Sequence, residues 1–114
     1  MTEFAPLRDT SVDPDTGAMK DNKEARYGLI PVEPLRMLAR HYSVGSRKYD
    51  DHNWRKGYAW SWSYDAAQRH MNKFWGGEDI DEETGTPHVI SAAWHMFALA
   101  WFMVNRKEKD DRPK

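Results

Sequence analysis

Thr86-Pro87-His88-Val89-Ile90-Ser91-Ala92-Ala93-Trp94-His95-Met96-Phe97-Ala98-Leu99-Ala100-Trp101-Phe102-Met103-Val104-Asn105 decides the fold class. Thr86 is a side chain that caps helix N-termini, and Pro87 suits the first helical position, where a missing N–H costs nothing. The residues that follow are mostly apolar and contain no glycine or further proline; Arg106, Lys107 and Lys109 then bring cations to the place where a helix ends. The stretch predicts one helix from about His88 to Asn105. Its apolar part, Val89 to Val104, is 16 residues long and contains Ser91 and His95. That falls short of the roughly 20 residues that span a bilayer, so it reads as a buried helix and no membrane partner is expected.

Two further helices precede it. Ser61 or Ser63 is placed to N-cap a second helix, on which Tyr64, Ala67, Met71, Phe74 and Trp75 form an apolar stripe before Gly76-Gly77 interrupts it. Pro34 suits a first turn, and Leu35, Leu38, Ala39 and Tyr42 follow at helical spacing until Gly45, a plausible C-terminal cap. Ser46 to Trp60 sustains no period and reads as an ordered loop with one helical turn. Residues 1–26 read as an irregular N-terminal arm, 27–105 as one helical domain and 106–114 as a charged, solvated tail, with no β-hairpin or internal repeat. The expected fold is therefore all-α, a small bundle of three main helices. Their apolar faces exceed what one short chain covers, which predicts a homodimer or a dimer of dimers.

Composition narrows the chemistry. The chain has 114 residues and no cysteine, so disulfides, thiolate metal sites and a cysteine nucleophile are excluded. A net charge of −1, from 17 basic and 18 acidic residues, supplies no field for a long nucleic acid. Met1 to Asp13 carries acidic residues and no apolar run, unlike a secretory or transit signal, and the expected location is the cytoplasm.

The reactive side chains lie between Lys48 and His88. Glu78 and Asp81 stand three apart, a spacing that on a helix brings two carboxylates to one face, where they can hold a hard divalent cation. A solvated acidic turn ahead of a helix N-terminus is an equally good reading of the spacing alone. An EF-hand is excluded, because Thr84 stands where its glycine and Ile90 where its bidentate glutamate is needed. Arg69 offers a forked donor for phosphate oxygens or an ion pair, and His70 a proton carrier, ligand or hydrogen-bond partner. His88 and His95 are seven apart on one helix face; His95 reads as a buried, hydrogen-bonded histidine, and His88, beside the acidic turn, as the better ligand contact. In the loop Lys48-Tyr49-Asp50-Asp51-His52-Asn53-Trp54-Arg55-Lys56-Gly57, lysine and arginine can neutralise phosphate, Asn53 can bond a purine edge, and Tyr49 or Trp54 can stack on a base. Such loops also serve as protein interfaces. No P-loop, G-x-S-x-G or H-E-x-x-H pattern competes, and no His-Asp dipeptide occurs.

Taken in order, Tyr27-Gly-Leu-Ile-Pro31, Leu38-Ala39 with Gly45-x-x-Lys48-Tyr49-Asp50, Asn53-Trp54-x-Lys56-Gly57, Ala67-x-Arg69-His70, Trp75-x-Gly77-Glu78-x-x-Asp81-x-Glu83-Thr-Gly85-x-x-His88 and Ala92-Ala93-Trp94 resemble the dATP/dGTP diphosphohydrolase N-terminal domain of phage proteins. These are MazZ-like relatives of the all-α MazG nucleotide pyrophosphohydrolases. The resemblance implies hydrolysis of a purine deoxynucleoside triphosphate to its monophosphate and pyrophosphate, with Mg2+ or Mn2+ as cofactor. It implies Glu78 and Asp81 as metal ligands, Asp50 as a further ligand or general base, and Lys48, Arg69, His70 and His88 as substrate contacts. Asn53 and Trp54 would form the base pocket. Glu78-Asp-Ile-Asp81 matches the second half of the MazG-type E-x-x-E…E-x-x-D pattern, while no upstream E-x-x-E is present, so further ligands are expected from Asp50, His70 or a neighbouring subunit. The rival class is a non-catalytic helical phage protein that binds a nucleotide or a host factor.

Overall fold

The computed structural model describes residues 10–21 and 25–114, which divide into two compact units at Pro31/Val32. Residues 1–9 and 22–24 of the expected irregular arm lie outside the described residues. The rest of that arm is ordered by its turn chemistry, contrary to the expectation of no hairpin. Strand β1 (Thr10–Val12) pairs antiparallel with β2 (Met19–Asp21), with Thr10 opposite Asp21 and Val12 opposite Met19. Asp13 closes the connection: its Oδ1 accepts from the backbone N–H groups of Asp15 and Thr16 at 2.9 Å. Its backbone carbonyl accepts from Gly17, whose φ of 75° suits glycine. Those backbone donors hold the Asp13 carboxyl below its ordinary range. Strands of three residues show no alternation to read; Asp13-Pro14-Asp15-Thr16-Gly17 was the available signal.

The second unit contains three α-helices. Helix α1 (Val32–Lys48) keeps Pro34 in its first turn but runs on through Gly45, which is a helix residue and not the expected cap. Ser46-Arg47-Lys48 continue the helix and put two cations in its last turn. Helix α2 (Trp60–Trp75) starts just ahead of the expected serine caps. Its N-terminus is held by a residue from the other end of the chain: the Asp111 carboxylate accepts from Ser61 N–H at 2.9 Å and from Ser61 Oγ at 2.5 Å. Trp60 Nε1 donates to the Arg106 carbonyl at 3.1 Å, and the Arg112 guanidinium lies 4.7 Å from the Trp60 ring. The C-terminal residues are therefore tied to the start of α2 while most of them stay exposed, as a solvated tail would be.

Helix α3 (His88–Asn105) matches its expected span, with Pro87 rather than Thr86 at the cap position; Thr86 is buried and hydrogen-bonded to His41 instead. Packed between α1 and α2, it supplies most of the core through Ile90, Ala92, Ala98 and Phe102. Against it α2 turns Trp60, Ser63 and Ala67, with His70 and Phe74 half-buried one and two turns on. The expected stripe is corrected in register: Tyr64, Met71 and Trp75 face outward, Trp75 at 87% exposure. Both registers have helical periodicity. Ala67, with no exposed surface, lets the helices approach closely, and Ser63 finds hydrogen-bond partners inside, which fixes the choice.

The loop after α1 contains the expected single turn, a 3-10 segment Asn53–Lys56, and docks its tryptophan on α3. Trp54 lies 5.9 Å from Trp94, 5.1 Å from Trp101 and 6.0 Å from Phe102, ring centre to ring centre. Gly57 has φ 94°, a conformation that favours glycine, and a Cβ there would stand 2.8 Å from Arg106 Cδ and displace that side chain. Among the described residues, no helix is long and apolar enough to cross a membrane.

Candidate functional site

Glu78 and Asp81 do not share a helical face. Gly77, at φ 104°, ends α2, and the chain reverses through a bridge between Ile80 and Pro87. Asp81 N–H donates to Thr86 O at 2.9 Å and Gly85 N–H to Asp81 O at 2.7 Å; His88 N–H donates to Asp79 O at 2.9 Å. The i/i+3 spacing brings two carboxylates together only on a helix, and this reversal stands in its place. Its consequence is to bring the start of α3 beside the end of α2, and so His88 beside His70.

His88 is fully buried at the N-terminus of α3. Its Nε2 lies 2.5 Å from Glu78 Oε2, and its Nδ1 lies 2.9 Å from His70 Nδ1. A carboxylate only accepts, so the Nε2–H of His88 donates to Glu78, and one proton lies between the two Nδ1 atoms. Asp81 completes a cluster: one donor atom each from His70, Asp81 and His88 lie within 4.8 Å of one another. Two imidazole nitrogens and a carboxylate oxygen are a donor set that fits a divalent metal ion. Asp81 is itself oriented by Glu83 N–H, which donates to its Oδ1 at 3.1 Å.

The cluster opens into a cavity of about 440 Å³ whose wall includes Lys48, Arg69, Lys73, His70, Asp81 and His95. Burial lowers the pKa of His70, partly offset by Asp81, and that of His41. His95 is depressed furthest, to about 4, first by burial and then by the neighbouring His70, His41 and Arg69. His95 is thus neutral at pH 7 and hydrogen-bonded through Nδ1 to Ser63 Oγ at 2.9 Å, which continues to Tyr58 OH at 2.6 Å. It is hydrogen-bonded as the sequence reading expects, but half-buried rather than buried. Lys48 reaches Glu83 at 3.7 Å, but both side chains are exposed, so the pair contributes little and leaves the ammonium available.

A second cavity, about 520 Å³, is aromatic and polar: Tyr42, Tyr49, Trp54, Tyr58 and Trp94 line it with Asp50, Asp51 and Asn53. The two cavities share Gly45, Tyr49 and Trp94. Of the residues singled out from sequence, Lys48, Arg69, His70 and Asp81 thus line the cationic cavity, and Asp50, Asn53 and Trp54 the aromatic one. His88 stands behind His70 as its partner, and Glu78 is the partner of His88.

Sequence reasoning passed over His41, Lys73, Gly45 and Trp94 as site residues. His41 was accessible, since it stands three residues after Leu38 and so on its face of α1. Lys73, four residues after Arg69, was accessible in the same way. Gly45 was hidden by the assumption that a glycine there ends the helix.

Residues 14–112 match the model of the family described as dATP/dGTP diphosphohydrolase, N-terminal, and the chain belongs to that family. Among relatives, it is similar to a protein of Salmonella phage PMBT28 named dATP/dGTP diphosphohydrolase, 33% identical over 97 residues. The match covers 85% of this chain and 33% of that protein, so the chain spans about a third of its relative's length. No solved structure matches it.

Proposed function

We propose that the joined cavities bind a purine deoxynucleoside triphosphate, dATP or dGTP, and hydrolyse it to the monophosphate and pyrophosphate. The observation that carries this reading is the junction: a cation-lined cavity with a metal-competent donor set meets an aromatic, amide-bearing cavity across Gly45, Tyr49 and Trp94. Each is of a size that holds part of a small ligand. Triphosphate suits the first and a purine the second.

Lys48, Arg69 and Lys73 neutralise the phosphates, Arg69 with its fork. Asn53 bonds the purine edge, Tyr49, Trp54 and Trp94 supply faces for stacking, and Asp50 accepts from an exocyclic amino group. Water adds to the α-phosphorus, the bond to the bridging oxygen breaks, and pyrophosphate leaves. Asp81 and its neighbouring imidazoles would hold the divalent ion, which supplies charge stabilisation as the phosphoryl group becomes more negative. Incubation with each dNTP and Mg2+ or Mn2+ tests the reading, by the release of monophosphate and pyrophosphate. Nucleotide binding without turnover would favour the non-catalytic alternative.

Gly45 is proposed to leave room at the seam. A Cβ built there meets no atom within 4 Å, and the residue lies inside α1 without positive φ. Gly45→Leu is therefore expected to hold or raise the melting temperature, since leucine is the better helix former by up to ~1 kcal/mol. At the same time kcat/KM should fall on the order of 10²-fold, the effect of displacing a substrate by about 1 Å. Full activity in this variant would remove the seam from the binding path.

We propose further that the chain acts in the host cytoplasm as a homodimer or homotetramer. Exposed Tyr64, Met71 and Trp75 on α2 and Met96, Phe97, Met103 and Val104 on α3 support self-association. Light scattering should give two or four times the 13.4 kDa chain mass, falling toward one for Trp75→Lys. A monomer at micromolar concentration would contradict it.

A further inference from the structure

We propose that His70 Nδ1, His88 Nδ1 and an Asp81 carboxylate oxygen bind a six-coordinate, imidazole-preferring divalent ion of the Mn2+ or Co2+ type, with Glu78 acting on it through His88. The inference rests on the reading of this cavity as the phosphate end of a nucleotide site, and adds which ion it takes and what Glu78 does there.

Three observations carry it. The first is donor chemistry: imidazole is a good ligand for transition ions and a poor one for Mg2+, which prefers oxygen and keeps its waters. Two of the three clustered donors are imidazole nitrogens. The second is spacing. At the ~2.0–2.1 Å typical of metal–imidazole bonds, two nitrogens 2.9 Å apart subtend roughly 90°, the angle between neighbouring octahedral ligands, once an ion takes the place of the proton they share.

The third is the buried His88–Glu78 pair. A ligating histidine characteristically donates its other N–H to a carboxylate, which fixes the tautomer and raises the basicity of the ligating nitrogen. Glu78 Oε2, 2.5 Å from Nε2, does this and leaves Nδ1 as the atom facing His70. Glu78 is then a positioning residue, and the three-donor set leaves coordination positions for water and phosphate oxygen.

The test uses the full chain and the metal alone, without nucleotide. Co2+ titration followed by visible absorption should give the weak bands of a six-coordinate Co2+ bound through nitrogen, and calorimetry should show Mn2+ and Co2+ binding at least ~10-fold more tightly than Mg2+. His70→Asn should abolish the Co2+ signal. Glu78→Gln should weaken Co2+ binding by ~10- to 100-fold with an unchanged circular dichroism spectrum and melting temperature, and Glu78→Asp should restore part of it. Because His88 is buried, His88→Gln is read only where its circular dichroism matches the parent. Equal affinity for Mg2+ and Co2+, or a Co2+ spectrum untouched by His70→Asn, would overturn the inference. Metal binding as described with no turnover of any dNTP would leave this site standing and sink the hydrolase reading instead.

Discussion

Asp81→Asn is expected to lower kcat/KM for dATP and dGTP by at least ~10²-fold while leaving the fold in place, as measured by steady-state pyrophosphate release and by melting temperature. Asparagine keeps a side-chain oxygen for the Glu83 N–H that Asp81 Oδ1 now accepts, so the reversal between α2 and α3 survives. The Thr84 hydroxyl contact at 3.4 Å is long, and its loss costs at most about 1 kcal/mol. What disappears is the negative charge in the cluster of His70, Asp81 and His88, the only carboxylate among those three donors. A divalent ion held by two neutral imidazoles and an amide is bound far less tightly, and charge stabilisation at the phosphoryl group goes with it. Activity within threefold of the parent would show that Asp81 is part of the turn alone.

The second large effect is on stability. Phe102→Ala should cost about 3–5 kcal/mol, the range for truncating a buried phenylalanine, and lower the melting temperature by more than about 10 °C. Phe102 has no exposed surface and meets Tyr58 edge-on at 5.0 Å, with Trp54 at 6.0 Å and Trp101 at 6.2 Å. The cost is a large fraction of the 5–15 kcal/mol that holds a typical domain together. Because Trp54 and Tyr58 both line the aromatic cavity, nucleotide affinity should fall as well, even at temperatures where the variant remains folded. Thermal melts by circular dichroism check the first effect, and a shift below about 1 kcal/mol would mean that the α3 core collapses to fill the gap.

Helix α3 was legible because its apolar run is long and both its ends carry local signals in Thr86-Pro87 and Arg106-Lys107. Helix α2 was legible as a helix but not in its register, since Tyr64, Met71 and Trp75 repeat as regularly as Trp60, Ser63 and Ala67. Only the tertiary fit of Ala67 and the hydrogen bonds of Ser63 separate the two. At the site, the sequence pointed to Arg69-His70, to Glu78 with Asp81 and to His88, and these do converge. Their manner of converging was not legible. A helical spacing was read into Glu78-Asp-Ile-Asp81, where the turn residues Asp81 to Gly85 enforce a reversal. The Glu78–His88–His70 chain spans sequence separations of 10 and 18, which no local period encodes. The Asp111 cap on α2 is 50 residues from its partner and lies beyond any window of that kind.

Addition of water at the α-phosphorus of a purine deoxynucleoside triphosphate can be followed by phosphorus NMR of a reaction run in isotopically labelled water. Supplied with dATP or dGTP and Mn2+, the protein should yield deoxynucleoside monophosphate and pyrophosphate in equal amounts, with the oxygen label in the monophosphate and none in the pyrophosphate. Label in pyrophosphate, release of inorganic phosphate or tripolyphosphate, or no turnover with either nucleotide would contradict the account.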